Sequence, residues 1–174
     1  MEESVELNGF HVVLTDQNAV FDTYDELRVF LPVHIKYQDR AFPCSDWEDF
    51  AVPVIYQWAE ELCRTQAHST LYFMDGPYRL EIQNQGNRLR VCGVNYNHID
   101  RVLFEAECTK TELLSELCDA CKKLKSIIWD HRTAFRESAC RELMEQAQYY
   151  IYKTISMLET EYRNVTTRTA SDEV

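Results

Sequence analysis

Two cysteines with the spacing of a metal-binding or redox motif, Cys118 and Cys121, are the first residues whose chemistry stands out. His131 and Cys140 follow along the chain, and cysteine thiolates with an imidazole are a common ligand set for structural zinc. However, the pair lies within a helical hydrophobic pattern, and neither a second Cys-x-x-Cys pair nor a glycine-bearing turn accompanies it. We therefore expect buried thiols here, with no metal and no cofactor.

The polar cluster Asp130-His131-Arg132, followed by Arg136 and Glu137, is the second group that could do chemistry. A histidine among such groups can transfer protons in general acid–base catalysis, which would make the protein a small hydrolase. None of the five histidines lies beside a cysteine or serine in a recognisable nucleophile setting, and the four glycines form no phosphate-binding loop. A solvated helix face or a junction between helices explains the cluster better. The sequence therefore predicts a protein that is not an enzyme.

The segment Asp39–Asp49 combines acidic and aromatic side chains, a mixture that suits a protein-binding surface. Aromatic side chains dominate interface hot spots, and carboxylates can pair with basic groups of a partner. Trp47 is the best anchor, because the break at Pro53 keeps this segment from joining a long buried helix. The alternative is a loop whose aromatic side chains pack into the core. The predicted partner-binding residues are Asp39, Phe42, Asp46, Trp47, Glu48 and Asp49.

The net charge narrows the choice of partner. The 174 residues include 18 basic and 29 acidic side chains, which gives a formal charge of −11. A nucleic-acid binder needs a basic face, so this balance argues against one and favours a protein with a basic surface. The alternative is that the acidic charge serves solubility alone. Seven cysteines without a disulfide framework, no signal peptide at Met1–Phe10 and no membrane-length apolar run predict a cytoplasmic protein with reduced thiols that binds no membrane.

Four short runs between Leu71 and Glu107 show the period-two alternation of half-buried strands. Turns at Asp75–Pro77 and Asn84–Asn87, each with a glycine, connect them in antiparallel order. A sheet of this kind buries one face, so helices should cover its apolar side. We therefore predict an α+β fold built on an antiparallel β-meander, with strands at Leu71–Asp75, Tyr78–Gln83, Arg88–Cys92 and Arg101–Glu107.

The meander is flanked by helical patterns. Thr109 and Glu112 match a capping box at the start of a helix that continues to about Ile128. Ser45-Asp46-Trp47-Glu48 is a second capping-box match, which predicts either a short turn before Pro53 or a helix starting at it. Apolar spacing then predicts a helix to about Arg64. Earlier in the chain, strands are expected at Phe10–Leu14 and Leu27–Lys36, with Pro32 marking an edge strand or a break in the second.

The chain from Lys110 to Tyr162 contains neither glycine nor proline. A single helix of this length would extend about 80 Å, far more than a compact domain, so we expect a break near Asp130–Thr133 that produces a helical hairpin. The alternative is one extended helix that projects and mediates homodimerisation, as a self-associating subunit or scaffold would use. We predict one domain over residues 1–163 and a disordered tail over 164–174.

The order helix, meander, helix over Val54–Ile128 resembles the small acidic immunity proteins that protect bacteria from their own polymorphic or contact-dependent toxins. The resemblance lies in Trp58–Leu62, in Leu71–Ile82 and in the helix Leu113–Leu124. It implies a cytoplasmic inhibitor that binds one cognate toxin domain and blocks its active site or substrate groove. Because such proteins share architecture more than a binding motif, the resemblance assigns no functional residues.

Overall fold

The computed structural model describes residues 9–17, 19–23, 27–64, 66–97, 99, 101–131 and 138–172. Within these ranges the chain forms an α+β fold of two antiparallel sheets and three helices, which confirms the predicted class. The elements are β1 Phe10–Leu14, β2 Val20–Thr23, β3 Leu27–Tyr37, β4 Arg40–Phe42, β5 Glu48–Phe50, α1 Ala51–Cys63, β6 His68–Tyr72, β7 Tyr78–Gln85, β8 Arg88–Asn95, β9 Arg101–Cys108, α2 Lys110–Asp130 and α3 Ser138–Asp172.

The predicted meander is the second sheet, with the strand order β6-β7-β8-β9. Its first strand runs from His68 to Tyr72 and ends earlier than predicted, because the chain turns at Phe73, whose N–H donates to the Tyr78 carbonyl. The inward-facing side chains of β7, such as Leu80, are buried. Arginine and glutamate side chains form ion pairs on the other face, at Arg79–Glu81, Arg88–Glu107 and Arg90–Glu105.

The first sheet is organised around β3, which pairs with β1, β2, β4 and β5. The sequence predicted that Pro32 marks either an edge strand or a break. The first alternative is wrong, because β3 has partner strands on both sides. Pro32 lies between Val33, which pairs with β1, and Phe30, which pairs with β2. Its missing N–H therefore falls in a gap between two partner strands, where the Pro32 carbonyl accepts from the Thr15 N–H.

Helix α1 begins at Ala51, and the Ser45–Glu48 capping box predicted for it does not form. Its N-cap is Phe50, which makes no side-chain capping hydrogen bond. The chain before it forms β5, because Glu48–Phe50 pairs with β3. Pro53 occupies the third helical position, where an N–H would have no intrahelical partner, so the proline is tolerated.

Helices α2 and α3 form the predicted hairpin. The Thr109 and Glu112 capping box is present at the start of α2, as expected. An ion pair joins Lys110, the first residue of α2, to Glu161 in the second half of α3. Further along α2, the Cys121 thiol lies 3.8 Å from the carbonyl oxygen of Ile151, which is nearer the start of α3. The two helices are therefore antiparallel.

The predicted disordered tail is wrong over most of its length, because α3 continues to Asp172. Threonine has a low helix propensity, and the threonine hydroxyls in this stretch donate hydrogen bonds to backbone carbonyls one turn back. The Thr167 hydroxyl donates to the Arg163 carbonyl and the Thr169 hydroxyl to the Val165 carbonyl. Val165 also packs against the hydrophobic core, which anchors this turn of the helix.

One continuous set of buried apolar side chains connects both sheets with all three helices. Trp58 in α1 is fully buried at its centre, and its indole N–H donates to the Tyr72 carbonyl at 2.8 Å. Gln57 in the same helix bonds the main chain of Thr70 and Tyr72. Helix α1 therefore fixes β6 and positions the turn that follows it.

Candidate partner-binding hollow

The segment Asp39–Asp49, predicted to bind a partner, divides its side chains between the interior and the surface. Phe42 and Asp49 are buried, and Trp47 is partly buried against the core. The remaining three predicted residues, Asp39, Asp46 and Glu48, are exposed. Strand pairing explains part of the division. Because β4 and β5 pair with β3, Phe42 and Asp49 point inward and Glu48 points outward, whereas Asp39 and Asp46 lie in the turns before these strands.

Phe42 joins the two sheets and does not form part of a surface. Only 1% of it is exposed, and its ring lies 5.7–5.9 Å from the ring centres of Phe73, Tyr78 and Phe104. A methyl group at Gly93 would come within 2.7 Å of the Phe42 ring, so the glycine makes room for it. The prediction that Phe42 contacts a partner is therefore wrong.

Asp49 is a fully buried carboxylate that holds together two parts of the chain. Its oxygens accept hydrogen bonds from the backbone N–H groups of Phe50, Met74 and Asp75, at 2.7, 3.0 and 3.1 Å, and from the Trp47 indole at 3.2 Å. Burial raises the pKa of Asp49, and the four hydrogen bonds oppose that rise. Asp49 is thus a structural residue and not a partner contact, contrary to the prediction.

Trp47 lies beneath the turn that follows β6 and is not a protruding anchor. Its ring centre is 5.0 Å from that of Tyr78 and 6.4 Å from that of Phe73, in edge-on arrangements. A methyl group at Gly76 would approach within 2.8 Å of the indole ring. Because the indole also donates to Asp49, Trp47 supports the fold, and its role as a hot spot stays a prediction.

The three exposed carboxylates of the segment line a single hollow of about 660 Å³ on the outer face of the first sheet. Asp39 lies beyond the end of β3, Asp46 lies in the turn before β5, and Glu48 is the first residue of β5. We call this feature the acidic hollow. Its floor and walls also include Val13, Thr15, Pro32, His34, Lys36 and Arg40.

The basic groups of the acidic hollow only partly offset its carboxylates. The Arg40 guanidinium donates to the Leu103 carbonyl at 2.7 Å and lies 5.6 Å from the centre of the Phe104 ring. Arg40 is therefore engaged with β9. Lys36 is the other cationic side chain of the lining, so three carboxylates face two basic groups, one of which is held by another strand.

His34 contributes an imidazole to the floor of the acidic hollow. It is 6% exposed, and its Nδ1 has no hydrogen-bond partner within the described part of the chain. Burial lowers the pKa of His34 and nearby Lys36 lowers it further, whereas Asp46 raises it. The ring therefore favours its neutral form. Side chains alternate between the two faces along β3, and Val33 faces the core. From the sequence alone, this alternation could have placed His34 on the opposite, outer face of the sheet.

The residues singled out for metal or acid–base chemistry lie elsewhere. Burial raises the pKa of Cys121 to about 12 and also raises that of Cys118, so both thiols stay protonated. His131 stacks on Phe21 at 4.4 Å, and its Nδ1 lies 2.8 Å from the Ile127 carbonyl oxygen. Across the described residues, no three histidine, cysteine or acidic side chains are grouped to hold a metal ion. Arg132, Arg136 and Glu137 lie outside the described residues, as does the Cys140 side chain.

Comparisons with protein-family models, with curated protein sequences and with solved structures give no match for this chain. Across the described residues, none of the helices combines the length and the apolar character needed to cross a membrane.

Proposed function

We propose that this protein is a non-enzymatic binding protein of the immunity type, which neutralises a toxin domain by binding basic side chains of that domain in the acidic hollow. The observation that carries the proposal is the grouping of Asp39, Asp46 and Glu48 around one hollow. These carboxylates are separated along the chain, yet the pairing of β4 and β5 with β3 directs them to the same surface.

A lysine or arginine side chain suits the acidic hollow physically. Its charge would meet an excess of carboxylates, and the neutral His34 ring on the floor would not repel it. The formal charge of −11 adds long-range attraction, which speeds encounter with a basic partner and disfavours an acidic one. Nuclease toxins, whose grooves bind nucleic-acid phosphates, are the partner class with the matching charge.

The framework around the acidic hollow favours binding without rearrangement. Asp49 ties β5 to the turn after β6 through two hydrogen bonds, from the N–H groups of Met74 and Asp75, and Phe42 ties β4 to the second sheet. A surface held in place before binding loses less conformational entropy when the partner arrives. The six described cysteines are free thiols, which supports a reducing cytoplasm as the place of action.

The proposal is tested by protection in cells. The gene should lie next to a gene for a toxin, and co-expression of this protein with that toxin domain should restore growth. Neutralising the hollow with Asp39→Asn, Asp46→Asn and Glu48→Gln should abolish protection. A control that removes the same number of negative charges elsewhere, Glu105→Gln, Glu107→Gln and Asp119→Asn, should still protect.

Two outcomes would refute the proposal. Loss of protection in both triple variants would mean that net charge matters and the acidic hollow does not. Full protection by the hollow variant, at equal protein levels, would place the binding surface elsewhere.

A further inference from the structure

The outer side of the α2–α3 hairpin exposes a group of large aromatic side chains. Trp129 is 52% exposed, Tyr149 64% and Tyr152 55%. Solvent-facing aromatic groups of this size are enriched in protein interfaces, where they supply most of the binding energy. Their joint exposure on one helical hairpin points to a surface that another protein covers.

Helical spacing and one direct contact make these residues continuous. Lys125 and Trp129 are four residues apart on α2, and Glu145, Tyr149 and Tyr152 follow at steps of four and three on α3. The Lys125 ammonium lies 4.4 Å from the centre of the Tyr152 ring, which connects the two rows. We call these five residues the hairpin face.

The charges of the hairpin face are divided between its two helices. Lys125 carries a positive charge in the α2 row, while Glu145 carries a negative charge in the α3 row. Glu145 makes no ion pair with any residue that the structure describes. Lys125 lies beside Tyr152 at one end of the hairpin face and Glu145 lies at the other end of the α3 row, so a copy turned by 180° brings each beside the opposite charge. This local pairing opposes the general repulsion between two chains of formal charge −11.

We infer that the hairpin face binds a second copy of this chain and forms a symmetric dimer. In a two-fold arrangement, residue i of one subunit meets residue j of the other, and the reverse contact occurs at the same time. Lys125 of each subunit then approaches Glu145 of the other, with Tyr149 and Tyr152 packed at the centre. The inference uses residues outside the acidic hollow and does not depend on the proposed function.

Sedimentation velocity of the full chain over a range of concentrations tests the dimer directly. The wild-type protein should sediment as a dimer at about 100 µM and dissociate on dilution. Changing Tyr149 and Tyr152 to Ser should weaken the dimer by at least about tenfold. A matched control, Tyr72→Ser with Tyr96→Ser, removes two exposed aromatic rings at the ends of β6 and β8, outside the hairpin face, and should leave association unchanged. Melting curves for both pairs establish that each variant is folded.

Charge reversal provides a test that only a symmetric dimer passes. Lys125→Glu alone should weaken association, because it places two glutamates opposite each other twice. Adding Glu145→Lys to the same chain should restore it, since both contacts are then reversed together. A wild-type protein that stays monomeric at about 100 µM would overturn the inference. The inference would also be overturned if the tyrosine changes leave the dimer affinity unchanged, or if Lys125→Glu with Glu145→Lys fails to restore association.

Discussion

The buried carboxylate of Asp49 allows a sharp test of how the structure supports the acidic hollow. Asp49→Ala removes the acceptor for four donors at once: three backbone N–H groups and the Trp47 indole. The backbone connection between β5 and the turn after β6 is then lost. We expect a large fall in the free energy of unfolding and a loosened hollow.

The size of the effect follows from which donors can find water. Met74 and Asp75 are exposed residues, so their N–H groups can be hydrated after the change. Phe50 and Trp47 are partly buried, and a donor left unsatisfied inside a protein costs about 1–3 kcal/mol. Two such donors predict a loss of about 3 kcal/mol. Asp49→Asn keeps the shape and one acceptor oxygen, so it should lose less, about 2 kcal/mol.

Urea unfolding followed by tryptophan fluorescence measures these free energies. Glu48→Ala is the matched control, because Glu48 is exposed on the same strand and should change stability by no more than about 0.5 kcal/mol. If Asp49→Ala is as stable as Glu48→Ala, the four hydrogen bonds do not hold the framework and the reasoning fails.

Three further predictions concern a turn, a histidine and two thiols. Gly76→Ala should destabilise more than Gly86→Ala, since both have positive φ but only the first would press a methyl group on the Trp47 ring; equal thermal shifts would contradict this. Because burial lowers the pKa of His34, the unfolded state binds more protons below 6.5, so stability should fall as pH drops through that value and His34→Gln should flatten the dependence. Exposed Cys44 should react with a thiol reagent well before buried Cys121, and the reverse order would contradict the burial of Cys121 between the helices.

The meander and the helical hairpin could be predicted because their signals are local. Alternation in Tyr78–Gln83 indicates a strand by itself, and Thr109 with Glu112 fixes a helix start within four residues. The break before α3 followed from length, since one helix would have exceeded the size of the domain.

The segment before α1 could not be predicted, because distant residues decide its structure. Ser45–Glu48 fits a capping box, yet Glu48–Phe50 gains a ladder with β3 that local sequence does not reveal. Asp49 accepts hydrogen bonds from Met74 and Asp75, which lie 25 and 26 residues further along the chain. Local sequence therefore does not show that Asp49 is buried. For the same reason, the sequence placed six residues on one surface, whereas the fold uses Phe42, Trp47 and Asp49 as support.

The convergence of Asp39, Asp46 and Glu48 also depends on the fold, although their acidic character was evident. Their side chains line the same hollow because β4 and β5 both pair with β3, which only tertiary pairing establishes. Three of the six predicted residues thus line the acidic hollow, and their contact with a partner stays a prediction.

The central claim is that the acidic hollow binds basic side chains of a toxin domain. Isothermal titration of the toxin domain encoded beside this gene tests it most directly, with the wild-type protein and the triple variant Asp39→Asn, Asp46→Asn and Glu48→Gln. Loss of three charge pairs, each worth about 1 kcal/mol or more at a desolvated interface, predicts an affinity at least about a hundredfold weaker. An affinity within about twofold of the wild type, in a variant with an unchanged melting temperature, would contradict the claim.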